Sequence, residues 1–239
     1  MSPPLHEQIQ RWLSENRQRS NAAGKPSVTL CYAQSWDGSI ALRAGVGMPL
    51  SGPESMLLTH QMRSFHDGIL VGIGTVLADN PQLNVRECPG PSPQPIVLDS
   101  HFRLPPTARL GQSGERPCWV LTSVRAPARV GVEQICLPGD GEGHIALDAA
   151  LQALWARGIR SVMVEGGANV ITAFLRQRLA DAIVLTVAPS LVGGYKAVGN
   201  LGIEDSKQLP RIAPMMTSSL GADVIIWGQL QYPSGEKND

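Results

Sequence analysis

Along most of the chain, apolar residues come in short runs set off by glycine, proline and aspartate. Such runs occupy residues 28–33, 68–73, 95–98, 118–121, 161–164, 182–187 and 224–227. Most are apolar throughout instead of alternating, which predicts strands buried on both faces by covering helices. Helical spacing appears between them. Leu5, Ile9, Trp12 and Leu13 predict a helix over 3–19. Ser51-Gly52-Pro53-Glu54 has the spacing of a capping box, predicting a helix that runs to about Phe65. Residues 147–157 are amphipathic and stop at Gly158, a natural helix end. A further helix over 168–179 follows Glu165-Gly166-Gly167. Alternating strands and helices predict an α/β fold, a three-layer sandwich with a mostly parallel central sheet.

This pattern divides the chain into an N-terminal helix and linker, residues 1–25, and one domain over 26–239. The helix is expected to pack on that domain or on a partner subunit. Residues 88–94 and 110–117 read as surface loops, and 232–239 as a loose tail. The strongly apolar runs 182–187 and 224–227 are expected at a sheet edge, where unpaired backbone groups invite a second copy and a homodimer.

Composition narrows the function classes. Twenty basic and twenty acidic side chains cancel, so no net field favours nucleic acid or an anionic membrane. No run reaches the roughly 18 apolar residues of a membrane helix, and residues 1–21 lack a signal peptide's apolar core. Cys31, Cys88, Cys118 and Cys136 are widely spaced and form no C-x-x-C pair, so they read as reduced thiols. The expectation is a cytoplasmic protein without a metal.

Candidate chemistry lies at strand ends, where open α/β sheets collect ligands. Gln34-Ser35-Trp36-Asp37-Gly38 follows the first run; an Asp-Gly turn alone is only a hairpin signal. Gly72-Ile73-Gly74-Thr75 follows the second, where glycines let backbone approach a phosphate and Thr75 opens a helix. A tight strand-to-helix turn explains it equally well. Leu77 stands where a dinucleotide fingerprint has its third glycine, and no Gly-Lys-Ser/Thr follows. Glu165-Gly166-Gly167-Ala168-Asn169 aims free N–H groups at one point, an anion site or a plain helix entry.

Taken together, Ser35-x-Asp37-Gly38, Arg63, Gly74-Thr75-Val76-Leu77-Ala78-Asp79-Asn80-Pro81-x-Leu83-x-Val85-Arg86, Leu98-Asp99-Ser100, Val164-Glu165-Gly166-Gly167 and Ala188-Pro189-x-Leu191-x-Gly193 resemble the pyrimidine reductase domain of riboflavin biosynthesis. That resemblance implies a dihydrofolate-reductase-like fold, NADPH as cofactor, and reduction of a phosphoribosylaminopyrimidine to its ribitylamino product. It implies substrate contacts from Arg63, Leu83, Arg86 and Glu165, with both arginines suited to gripping phosphate. It implies cofactor contacts from Gln34, Thr75, Asp79, Ser100, Gly166, Gly167, Ala168 and Asn169. Ser100 and Thr122-Ser123-Val124-Arg125 are candidates for the cofactor's 2′-phosphate. The zinc deaminase motifs that precede the reductase in bifunctional relatives are absent, so a separate deaminase is expected. Gly45-Val46-Gly47-Met48-Pro49-Leu50 departs from the polar or aromatic stretch usual there. The competing readings are a same-fold reductase of another heterocycle and a non-catalytic cofactor-binding module.

Overall fold

The fold is given by a computed structural model, which describes residues 3–112 and 116–233. Among these the order is α1 (Leu5–Asn21), β1 (Ser27–Ser35), β2 (Ser39–Ala41), α2 (Pro53–Ser64), β3 (Gly68–Gly72), α3 (Ile73–Asp79), β4 (Gln94–Leu98), β5 (Cys118–Thr122) and β6 (Val132–Cys136), then α4 (Leu147–Ala156), β7 (Ser161–Val164), α5 (Ala168–Arg176), β8 (Ala182–Ala188), β9 (Tyr195–Lys196), β10 (Arg211–Leu220) and β11 (Asp223–Gln231).

The main sheet has nine strands in the order β10-β11-β8-β1-β7-β3-β4-β5-β6. From β8 to β6 neighbours run parallel, while β11 and β10 are antiparallel additions. Side chains alternate between two faces along each strand. Val28 and Leu30 of β1, Leu70 of β3, Val162 and Val164 of β7, and Ile183 and Leu185 of β8 share one core. Leu151 and Leu154 of α4 and Ile171 and Phe174 of α5 complete it. The intervening residues Cys31, Met163, Ala182 and Val184 point to the other face, where Ile9 and Leu13 of α1 and Leu58 and Met62 of α2 cover them. Ile69 and Val71 meet Ile73 and Val76 of α3 beside that layer. Covering helices on both faces explain the unbroken apolar runs, and each fully buried large side chain contributes about 1.5–3 kcal/mol.

Four readings change. Runs 182–187 and 224–227 are interior strands, β8 and β11; the edges are β6 and β10, the latter of mixed sequence, interrupted by Pro214 and largely exposed. Glu54 and Ser51 form no capping box: Gly52 is the N-cap without a side-chain cap, and Pro53 supplies the preorganised first turn. Asp37-Gly38 makes a tight turn, Gly38 N–H to Ser35 C=O at 2.9 Å, but no hairpin, because β2 pairs with β9. The 110–117 stretch holds part of a short 3₁₀ turn, Arg109–Gly111, with 113–115 outside the described residues. Residues 234–239 of the expected tail also lie outside them. At the end of α4 Gly158 adopts φ +88°, the left-handed stop that its sequence position predicts.

Among the described residues, no helix is long and apolar enough to cross a membrane, and no three His, Cys, Asp or Glu side chains gather as a metal would need. All four cysteines are unbridged.

Candidate active site

The carboxyl ends of β1, β7 and β3 lie side by side at the middle of the sheet. Glu165 continues β7, its N–H donating to the Leu70 carbonyl at 3.0 Å. Its side chain meets Arg63, from the last turn of α2. Nε and Nη2 of Arg63 donate to the two carboxylate oxygens, each at 2.7 Å. Only 10% of the Arg63 side chain and 15% of the Glu165 side chain stay exposed. Burial pushes the guanidinium pKa down, but the charge and hydrogen bonds of Glu165 outweigh it, leaving a net rise.

Nη1 of Arg63 donates to the Asn84 carbonyl at 3.0 Å. Asn84 sits in an irregular segment that turns through the left-handed region at Asn80 (φ 43°) and Leu83 (φ 53°). Such backbone is costly for non-glycine residues and persists only where surroundings enforce it. Asn80 Oδ1 accepts the Arg109 N–H at 2.9 Å, and Ser92 Oγ accepts the Val85 N–H at 3.1 Å. The Leu83 side chain is 2% exposed and is spent in the core beside α3. Arg86 reaches outward, 46% exposed, with Glu87 at 3.3 Å and Asn84 Oδ1 at 3.3 Å. Thus Glu165, Arg63 and the 83–86 segment form one linked unit. The sequence pattern marked all but Asn84, which joins them through its backbone.

A second unit adjoins it. Gly167 donates its N–H to Thr75 Oγ1 at 3.0 Å, fastening the entry of α5 to the first turn of α3. The closeness demands small residues. A Cβ at Gly72 would stand 2.7 Å from Val170, and one at Gly166 2.8 Å from the same side chain. Ahead of α5, the N–H groups of Gly166, Ala168 and Asn169 have no partner among the described residues, so several donors converge at the positive helix end. Asn169 Oδ1 accepts the Tyr195 hydroxyl at 3.3 Å, a rim contact that sequence spacing did not reveal. At the far end of α3, Asp79 lies against Gly47; a Cβ there would fall 1.8 Å from the carboxylate. Burial raises the Asp79 pKa. Within the divergent stretch 45–50, the chain thus crosses Asp79 at Gly47 with no room for a side chain there.

The remaining candidates flank these units. Gln34 is the penultimate residue of β1, opposite Val187 of β8. Ser100 follows β4, and its carbonyl accepts from Ser123 N–H at 3.1 Å, Ser123 Oγ at 2.8 Å and Thr122 Oγ1 at 3.2 Å. Ser100 and the 122–125 segment are thereby brought together. Asp37 instead organises structure. It accepts from Lys196 Nζ (2.6 Å), Ser35 Oγ (2.6 Å), Ser39 Oγ (2.8 Å), Val192 N–H (2.9 Å) and Gly193 N–H (2.9 Å). Lys196 first, then Ser35 and Val192, hold its carboxyl well below the usual range. This knot ties the end of β1 to the loop after β8. A cavity of about 690 Å³, lined by His6, Arg11, Gln61, Phe65 and Cys88 among others, includes none of these site residues.

Comparison with known proteins supplies a family. A 2,5-diamino-6-ribosylamino-4(3H)-pyrimidinone 5′-phosphate reductase of Saccharomyces cerevisiae is 37% identical over 197 residues, 77% of this chain and 80% of that protein. The riboflavin biosynthesis protein RibD of Aquifex aeolicus is 31% identical over 209 residues, 85% of this chain but 57% of its own length. The solved structure of Acinetobacter baumannii RibD superposes with a TM-score of 0.76 at 28% identity, covering 87% of this chain and 59% of that one. The chain thus spans just over half of these RibD proteins and most of the yeast reductase. The described site lies within residues 26–226, which match the model of the RibD C-terminal domain, and the chain belongs to that family.

Proposed function

We propose that this chain catalyses NADPH-dependent reduction of a phosphoribosylaminopyrimidine, in its uracil or 2,5-diaminopyrimidinone form, to the ribitylamino product, the reductive step of riboflavin biosynthesis. One observation carries the reading: Glu165, Arg63 and the Arg86 segment form a connected unit directly beside the donor-rich entry of α5. A polar recognition site and an anion cradle on adjoining strand ends suit a phosphorylated substrate next to a dinucleotide.

The residues fit the cofactor. Gly166, Ala168 and Asn169 offer free N–H groups for its phosphates, and Thr75 braces that turn. From β1 through β7, β3 and β4 to β5 the strand ends span roughly 19 Å at about 4.8 Å per step. Gln34, Ser100 and Arg125 on this row would hold a dinucleotide. Gly47 and Asp79 border it. The nicotinamide, when bound, supplies the hydride.

The protein residues divide the remaining work. Arg86, exposed and weakly held, grips the substrate phosphate. Arg63, with Nε, Nη1 and Nη2 each committed, holds Glu165 and Asn84 in place and contributes positive charge behind them. Glu165, fixed by that pair, keeps lone pairs for substrate amino or hydroxyl groups. Leu83 contacts a ligand through its backbone, since its side chain is buried. Positioning of this kind brings the reacting carbons together and accounts for most of what a cofactor-dependent reductase must do.

The reading includes a homodimer. Its support is the unpaired outer edge of β10, with Met215 58% exposed, and the protruding Trp36 and Leu191, 68% and 77% exposed. Light scattering at micromolar concentration checks it, with twice the 25.6 kDa chain mass expected. The enzymatic proposal is tested by following NADPH absorbance with the phosphoribosylaminopyrimidine. Folded protein that consumes no NADPH under saturating substrate overturns it.

A further inference from the structure

His60 lies one turn before Arg63 on α2 and is completely buried. Its Nδ1 accepts the backbone N–H of Arg86 at 3.3 Å. An accepting Nδ1 requires the proton on Nε2, and Nε2 has no hydrogen-bond partner among the described residues. A buried donor left unpaired lowers stability, so the ring is not explained as a stabilising core residue. His66, two residues beyond Arg63's neighbour Ser64, is the contrast: both its ring nitrogens are paired, with Met62 and Thr29.

The two residues at i and i+3 on α2 grip alternate backbone groups of one segment. Arg63 holds the Asn84 carbonyl, and His60 holds the Arg86 N–H. The backbone passes its left-handed residue, Leu83, just before the first anchor, and at the second the Arg86 side chain reaches outward. We propose that His60 is the positioning residue of this segment: its Nδ1 fixes the Arg86 backbone and hence where the Arg86 guanidinium stands.

The surroundings keep the ring in the form this role needs. Burial first, then the positive charges of Arg63 and Arg86, lower its pKa against the opposing charges of Glu87 and Glu165. A neutral ring accepts at Nδ1; a protonated one would turn a donor toward a donor.

The inference rests on the proposed reductase reading for its kinetic consequence but not for its structural one. His60→Leu removes the acceptor together with the unpaired Nε2 donor. His60→Asn places an amide oxygen near the Nδ1 position, and His60→Gln places one near Nε2. The expected result for His60→Leu is a KM for the phosphoribosylaminopyrimidine raised about tenfold, kcat within about twofold, unchanged NADPH affinity and an undiminished melting temperature. His60→Asn restores KM and His60→Gln does not. Amide hydrogen exchange at Arg86 speeds up about tenfold in His60→Leu and recovers in His60→Asn. An unaltered KM with unaltered Arg86 exchange, or rescue by Gln and not Asn, overturns the assignment. A kcat loss that follows a falling melting temperature also overturns it. Wild-type protein that fails to turn over strikes the reductase reading instead, and Arg86 exchange then decides the role of His60 alone.

Discussion

Arg63 and Glu165 form a two-pronged ion pair, 102 residues apart in sequence and 2.7 Å apart at both contacts. Breaking a buried pair leaves one charge without its partner, which costs more than the pair itself contributes. Glu165→Gln is expected to lower stability by about 3 kcal/mol, the low end for buried pairs because both side chains keep some exposure. Turnover should be lost with it. The double variant Arg63→Met with Glu165→Leu should regain most of the stability but no activity. Urea unfolding with a parallel NADPH assay checks both parts; a double variant that turns over would remove Glu165 from the proposed site.

Arg86 stands outside that pair, exposed and facing solvent. Replacing it with alanine should raise the substrate KM ten- to a hundredfold, about 1.5–3 kcal/mol for one charge-assisted hydrogen bond. NADPH affinity should hold. Steady-state kinetics with each ligand varied in turn checks the split, and an unchanged substrate KM would contradict the phosphate grip.

Gly167 faces Thr75, whose Oγ1 would lie 3.3 Å from an added Cβ. A valine there crowds Thr75 and fills the space before the free N–H groups of α5. NADPH affinity, read by calorimetry, should fall at least tenfold while the circular dichroism spectrum is retained. Gly166→Ala acts differently. Its Cβ would meet Val170 at 2.8 Å, so this variant should lose stability as well. Normal NADPH affinity in Gly167→Val would refute the phosphate cradle.

Acid should weaken the fold through His66. Its Nδ1–H donates to the Met62 carbonyl, and Nε2 accepts from the Thr29 hydroxyl. Burial first, then Arg17, push its pKa down to about 4 from the ordinary 6.5. Between those values the unfolded chain binds the extra proton. Stability from this group is therefore fully present above pH ~6.5 and lost as pH falls toward 4, by about 3 kcal/mol. Urea unfolding at neutral pH and at pH ~4.5 should show a smaller acid-induced loss for His66→Gln than for wild type. Equal losses would show that another group dominates in this window.

The strands most fully buried were the most legible. Val28, Leu30, Leu70, Val162 and Val164 belong to runs whose hydrophobicity on both faces requires a covered sheet. Edges obey a different rule. β10, Arg211-Ile212-Ala213-Pro214-Met215-Met216-Thr217-Ser218-Ser219-Leu220, has one neighbour and much exposed surface, so nothing in its pattern demanded a strand. For the same reason the apolar runs of β8 and β11 suggested an edge that they do not form.

Local chemistry set what neighbours along the chain decide: the helix stop at Gly158, the tight turn at Gly38 and the glycine at 166 that Val170, four residues on, requires. Sequence alone also determined which residue types stand at the strand ends, and with them the family resemblance. Only the tertiary structure decided which of those residues meet. It turned two expected substrate contacts, Arg63 and Glu165, toward each other, sank the Leu83 side chain into the core and left Arg86 reaching outward. It also joined His60 to the Arg86 backbone and Asp37 to Lys196, pairs with no shared periodicity. The physical reason is that patterning reports burial and local backbone preference, whereas a contact between distant segments depends on strand order and on helices crossing the sheet.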